Sequence, residues 1–202
     1  MLTLMLKRDE WCCFLFKVRL FCFLLCMACI SFLTISNAWG VTGSRIDSIE
    51  VRVEEQGVFV DAQMRIRLSA PMRDALEKGV SLYFVATTEI KRKRWYWFDA
   101  VDAYVTRVIR LSYVPLLQQY RVTIGGVHQT FYSLDEALTL LSQIAYWRIG
   151  DAQLLERGKR QILTFSFELD HAKLPRLFQI GIGKDENWQL KLTQDIELSK
   201  VQ

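Results

Sequence analysis

From Val58 to Leu68 apolar and polar residues alternate, with Val58, Val60, Ala62, Met64, Ile66 and Leu68 on one face and Phe59, Asp61, Gln63, Arg65 and Arg67 on the other. A period of two predicts a half-buried antiparallel strand. Ile46, Ile49, Val51 and Val53 predict a less regular strand over 45–53, and Glu54 to Gly57 the turn between the two. Ser69 as N-cap, an early Pro71, the apolar Met72, Ala75 and Leu76, and a closing Gly79 predict a short helix. Alternation resumes over 80–90, with Val80, Leu82, Phe84, Ala86 and Ile90 inward.

Further strands are expected at 95–98, 101–113, 119–124 and 127–132, the last two joined as a hairpin through Gly125-Gly126. Ser133 and Glu136 form a capping box. Leu134, Ala137, Leu138, Leu141 and Ile144 then recur at helical spacing, predicting a helix over 134–145. Leu163, Phe165, Phe167 and Leu169 mark another strand, and Trp188, Leu190 and Leu192 a last one. Many strands with two short helices place the chain in a mainly β class, all-β or α+β, as an antiparallel sheet or sandwich-like domain.

The N-terminal part follows a different pattern. Lys17 and Arg19 precede an unbroken apolar run from Leu20 to Ile35, and the next charge after it is Arg45. A basic flank, an apolar stretch and then small residues is the order of a secretory signal. Ser36-Asn37-Ala38 fits signal-peptidase cleavage before Trp39, and Ala38-Trp39-Gly40 fits it less well before Val41. The run is slightly long for a signal core and slightly short for a spanning helix, so retention as a signal-anchor stays open. The expected organisation is therefore a signal peptide or signal-anchor over 1–38, with its hydrophobic leader helix, and a single exported β-rich domain over 39–202. That domain is expected in the periplasm, or anchored in the cytoplasmic membrane by residues 20–35.

Composition sharpens this division. The chain of 202 residues is 51% hydrophobic with three prolines, far from a disordered composition. Half of its net charge of +4 lies before residue 20, leaving a nearly neutral domain that charge alone does not mark as a polyanion binder. All five cysteines, Cys12, Cys13, Cys22, Cys26 and Cys29, lie in the leader. The remainder has no thiol for a disulfide, a zinc ligand or a nucleophile.

Several ordered blocks carry a resemblance: Glu77–Val85 (EKGVSLYFV), Arg92–Asp99 (RKRWYWFD), Arg110–Tyr113 (RLSY), Gln119–Arg121 (QYR), Gly126–Phe131 (GVHQTF) and Leu134–Leu138 (LDEAL). Over roughly residues 45–198 the chain resembles the bacterial exported family catalogued as domain of unknown function 4390. The resemblance implies no activity, cofactor or catalytic residue. It does imply a gene neighbourhood shared with a membrane sensor kinase of the nitrogen-regulation type, and so an envelope accessory to signalling.

The most unusual stretch is Lys91, Arg92, Lys93 and Arg94 followed by Trp95, Tyr96, Trp97 and Phe98. Cations beside aromatic rings can hold phosphates while the rings stack on bases or sit at headgroup depth. Export disfavours nucleic acid, and the plainer reading is a strand packing its tryptophans while its charges guard an edge. With His128 these residues, Arg92 to Phe98, form the candidate interaction surface. Glu168, Asp170 and His171 could ligate a metal, but solvated residues at a strand end explain them better. No nucleophile elbow, zinc-protease, P-loop or dinucleotide motif occurs, so no catalytic, cofactor or metal residue is assigned.

The leading expectation is a non-catalytic binding or accessory module at the periplasmic face of the cytoplasmic membrane. Its partner would be an envelope or membrane protein, or the lipid surface. Two alternatives stand beside it. One is a carrier of an apolar or lipid-like ligand held among Phe84, Phe165, Phe167 and Trp188. The other is a hydrolase using His128 or His171.

Overall fold

The computed structural model describes residues 43–93, 96, 99–155, 160–179 and 186–198, so the leader lies outside the described residues. Among the described residues no helix is long and apolar enough to cross a membrane.

Nine strands among the described residues form two antiparallel sheets. In β1 (Arg45–Glu54), β2 (Gly57–Arg65) and β7 (Gln143–Gly150) the order is β1-β2-β7. The larger sheet contains β3 (Leu82–Arg92), β4 (Ala100–Val114), β5 (Gln119–Ile124), β6 (Val127–Phe131), β8 (Gln161–Leu169) and β9 (Lys191–Glu197), ordered β6-β5-β4-β3-β8-β9. The inner faces share one core: Val58, Val60, Ala62 and Met64 from β2 and Ile144, Trp147 and Ile149 from β7 join Phe84, Ala86, Ile90, Leu163, Phe165 and Phe167. β7 lies against β4 and β1 against β9. The fold is thus the expected mainly β sandwich with two short helices.

The helices cover what the smaller sheet leaves open. Helix α1 (Ala70–Glu77) is capped by Ser69, whose Oγ accepts from Met72 N, and buries Met72, Ala75 and Leu76 near β4. Helix α2 (Leu134–Leu141) is capped by Ser133 and buries Ala137, Leu138 and Leu141 against β5, β6 and β7. A single helical turn, α3 (Arg176–Gln179), precedes β9. Gly125 and Gly126, at φ +56° and +88°, form the two-residue turn joining β5 to β6, as expected.

Four expectations need correction. The helix expected over 134–145 stops at Leu141, and Ile144 is a buried residue of β7, a strand the sequence did not suggest. The register between β2 and β7 explains this. Val60 pairs with Trp147 and Ala62 with Ile144, so β7 carries an extra residue there, and its inward side chains fall three apart, as on a helix. The strand expected at 95–98 is not seen at Tyr96, which lies in a bend between β3 and β4, while Trp95, Trp97 and Phe98 are outside the described residues. The final strand begins only at Lys191, after Trp188 has been buried in a short 3-10 turn. Phe59, expected outward, is only 4% exposed because Tyr146 stacks on it at 4.2 Å.

Tyr146 occupies the extra position in β7 with φ +50°, a left-handed conformation unfavourable for a tyrosine. Its surroundings hold it there. Its backbone N–H donates to Asp61 Oδ1 at 2.8 Å, its hydroxyl donates to Glu54 Oε2 at 2.5 Å, and Arg52, itself paired to Asp61, lies 5.4 Å from its ring centre. The Glu54 carboxylate beside the hydroxyl raises the Tyr146 pKa above the usual phenol range. Strain of this kind persists only where contacts over-determine it. Tyr146→Gly is therefore expected to unfold at higher urea than Tyr146→Ala, the reverse of the order at an ordinary strand position. An alanine variant more stable than the glycine variant would show that no strain is stored there.

Candidate functional site

The basic-aromatic stretch joins β3 to β4, and its base is built from residues far apart in sequence. Between Ile90↔Ala103 and Lys91↔Val101 the ladder gains one residue on β4, so Asp102 is a bulge residue. Bulges re-aim side chains. The carboxylate of Asp102, its side chain 8% exposed, accepts from Arg92 Nε at 3.1 Å and from Arg92 Nη2 at its other oxygen. Gln161, only 2% exposed at the start of β8, donates from Nε2 to Asp102 Oδ2 and to the Leu154 carbonyl, each at 2.8 Å. Arg92 thus serves as a structural clamp, with its fork engaged bidentately by a nearly buried carboxylate.

The other cations divide in the same way. Lys91 bonds Glu89 at 2.8 Å, which raises its pKa above the usual amine range against a smaller opposing effect of burial. Lys93 is exposed, and its backbone N–H donates to Arg160 O at 3.2 Å. Arg94, Trp95, Trp97 and Phe98 lie outside the described residues. Tyr96 is 67% exposed, and two residues not singled out from sequence extend its character along β4: Val101 at 54% and Tyr104 at 63%. The bulge at Asp102 brings both to the outer sheet face, since they sit opposite the outward Lys91 and Glu89.

His128 does not join this group. It is an exposed residue of β6, opposite Thr123, in the cross-strand row that runs through Arg110 to Tyr83. Tyr83 lies nine residues from Arg92 along β3, roughly 30 Å at about 3.3 Å per residue.

His171 lines an open groove of about 590 Å³ with Glu168, Asp170 and Lys191. Each group there is already engaged. Glu168 pairs with Lys191 at 3.1 Å, Asp170 Oδ1 accepts from Ala172 N at 3.1 Å, and Lys173 lies 3.8 Å from Asp170. His171 Nε2 lies 2.8 Å from the Trp188 carbonyl, which can only accept, so this nitrogen carries the proton. Among the described residues no three His, Cys, Asp or Glu side chains are grouped to hold a metal ion. The aromatic interior is occupied by its own rings: Phe84 stacks on Phe167 at 5.5 Å, and Trp188 packs on Phe178 at 5.7 Å.

The chain belongs to the family described as Domain of unknown function (DUF4390), which matches residues 42–197. No curated protein and no solved structure matches it.

Proposed function

We propose that this member of the family is an exported, non-catalytic binding module at the periplasmic face of the cytoplasmic membrane, docking on the lipid surface through the end of its β3–β4 hairpin. The observation that carries this reading is the exposure of Tyr96, Val101 and Tyr104 beside Lys93, on a hairpin whose base is locked by Asp102. Aromatic rings settle at headgroup depth and cations on lipid phosphates, while a rigid base lowers the entropy cost of presenting them together. An apolar leader over 20–35 would hold the domain close to that surface.

The test is co-sedimentation of the full chain with vesicles containing phosphatidylglycerol, compared with pure phosphatidylcholine. Wild type is expected to prefer the anionic vesicles. The triple variant Lys93→Glu, Tyr96→Ala, Tyr104→Ala should bind about tenfold less, since each cation near the surface contributes about 1 kcal/mol and the rings add to it. Thermal unfolding should be unchanged, because these side chains are exposed. If wild type ignores both vesicles while crosslinks at Tyr96 capture an envelope protein, lipid is the wrong partner and a protein takes its place.

A further inference from the structure

We infer that the outer face of the six-stranded sheet carries an anion site, built around Arg110 and Arg121, that takes a phosphoryl group. Arg110 pairs across the ladder with Thr123 and Arg121 with Ser112, so the two arginines are diagonal neighbours on adjacent strands. Such positions lie about 7–8 Å apart, within reach of two long side chains converging on one anion. Like charges set so close destabilise a sheet unless something compensates them.

Nothing among the described residues does so. Neither guanidinium forms a salt bridge or hydrogen bond, and on the outer face of β3 and β8 the carboxylates are committed elsewhere, Glu89 to Lys91 and Glu168 to Lys191. Nε of Arg110, Nε of Arg121 and Oγ1 of Thr123 are all shielded from solvent and without a partner. Beside Arg110 and Thr123 is an open hollow of about 460 Å³, lined also by Tyr83, Arg107, Val108 and the Gly125-Gly126 turn, with no Asp or Glu in its lining; Arg121, on the neighbouring strand, is outside that lining. The two glycines leave open space where side chains would stand.

The donor set selects the ligand. Two planar forks and a hydroxyl match the tetrahedral oxygens of a phosphate better than a planar carboxylate, and arginine binds phosphate bidentately. The site lies roughly 30 Å along β3 from the hairpin end and stands independently of the docking reading. A free phosphate and a lipid headgroup offer the same chemistry.

The experiment uses the purified full chain with two probes, inorganic phosphate and phosphatidylglycerol vesicles. Phosphate is expected to raise the Tm of wild type in a concentration-dependent way. Arg110→Gln and Arg121→Gln should each weaken phosphate binding by about tenfold, as expected for loss of a charged hydrogen bond, and the double variant should show no Tm response. Arg110→Lys/Arg121→Lys, which keeps the charge and loses the forks, should recover only part of the affinity. Without phosphate the double glutamine variant should be no less stable than wild type, since it relieves repulsion. Vesicle binding that depends on Arg110 and Arg121, without a response to phosphate, assigns the site to a headgroup. The proposal is overturned if the double variant responds to phosphate as wild type does, or if neither probe shows an effect that depends on the two arginines.

Discussion

Asp102→Ala is expected to cost about 3–5 kcal/mol of folding free energy, the range for breaking a buried ion pair from one side. The size follows from what is left behind. Arg92, 23% exposed at its side chain, would lose its two bonds to Asp102, and the Gln161 amide, 2% exposed, would lose its bond to Asp102 Oδ2. Urea unfolding should show the loss in the midpoint. For a domain of this size Tm should fall by roughly 6–20 °C at about 2–4 °C per kcal/mol. Replacing both charges, Arg92→Met with Asp102→Leu, should cost less than Asp102→Ala alone, because no charge is then stranded. A loss below about 1 kcal/mol for Asp102→Ala would mark the pair as a solvated surface contact. The arrangement would then not hold the hairpin base.

The same network shows where the sequence was legible and where it was not. Alternation revealed β2, β3 and β8 because each keeps an unbroken period of two against the core, as the burial of Leu82, Phe84, Ala86 and Ile90 shows. The Gly125-Gly126 hairpin was legible because its turn chemistry is local. β7 was hidden because its extra residue spaces Ile144 and Trp147 three apart, a separation shared with helices. At 95–98 the run of aromatics signalled strand propensity, yet the long hairpin needs a connection there, and Tyr96 lies in it.

The candidate site divides along the same line. The basic-aromatic stretch is a local signal and stood out in the sequence. Asp102 and Gln161 lie 10 and 59 residues from the groups they bond, and only the pairing of β3 with both β4 and β8 brings them together. Read singly, Arg110 and Arg121 are ordinary outward-facing residues of strands. Their diagonal juxtaposition depends on the register of β4 against β5, which no single strand specifies.

Phe167→Ala is expected to lose about 3–5 kcal/mol, the upper range of core truncations. On β8 it lies opposite Ala86 of β3 and Leu192 of β9, and its ring stacks on Phe84 at 5.5 Å. The small Ala86 makes room for the two rings, so truncating Phe167 sets alanine opposite alanine in the middle of a sheet. The backbone ladder holds the strands apart, and the space can close only partly. The outcome also bears on the carrier alternative. If Phe84, Phe165 and Phe167 lined a space meant for an apolar ligand, the rings would face a void, and removing one would forfeit few contacts. All three are completely buried, which favours the larger loss. A measured cost under about 1 kcal/mol, together with an apolar ligand co-purifying with the variant, would turn the interior from a packed core into a binding cavity.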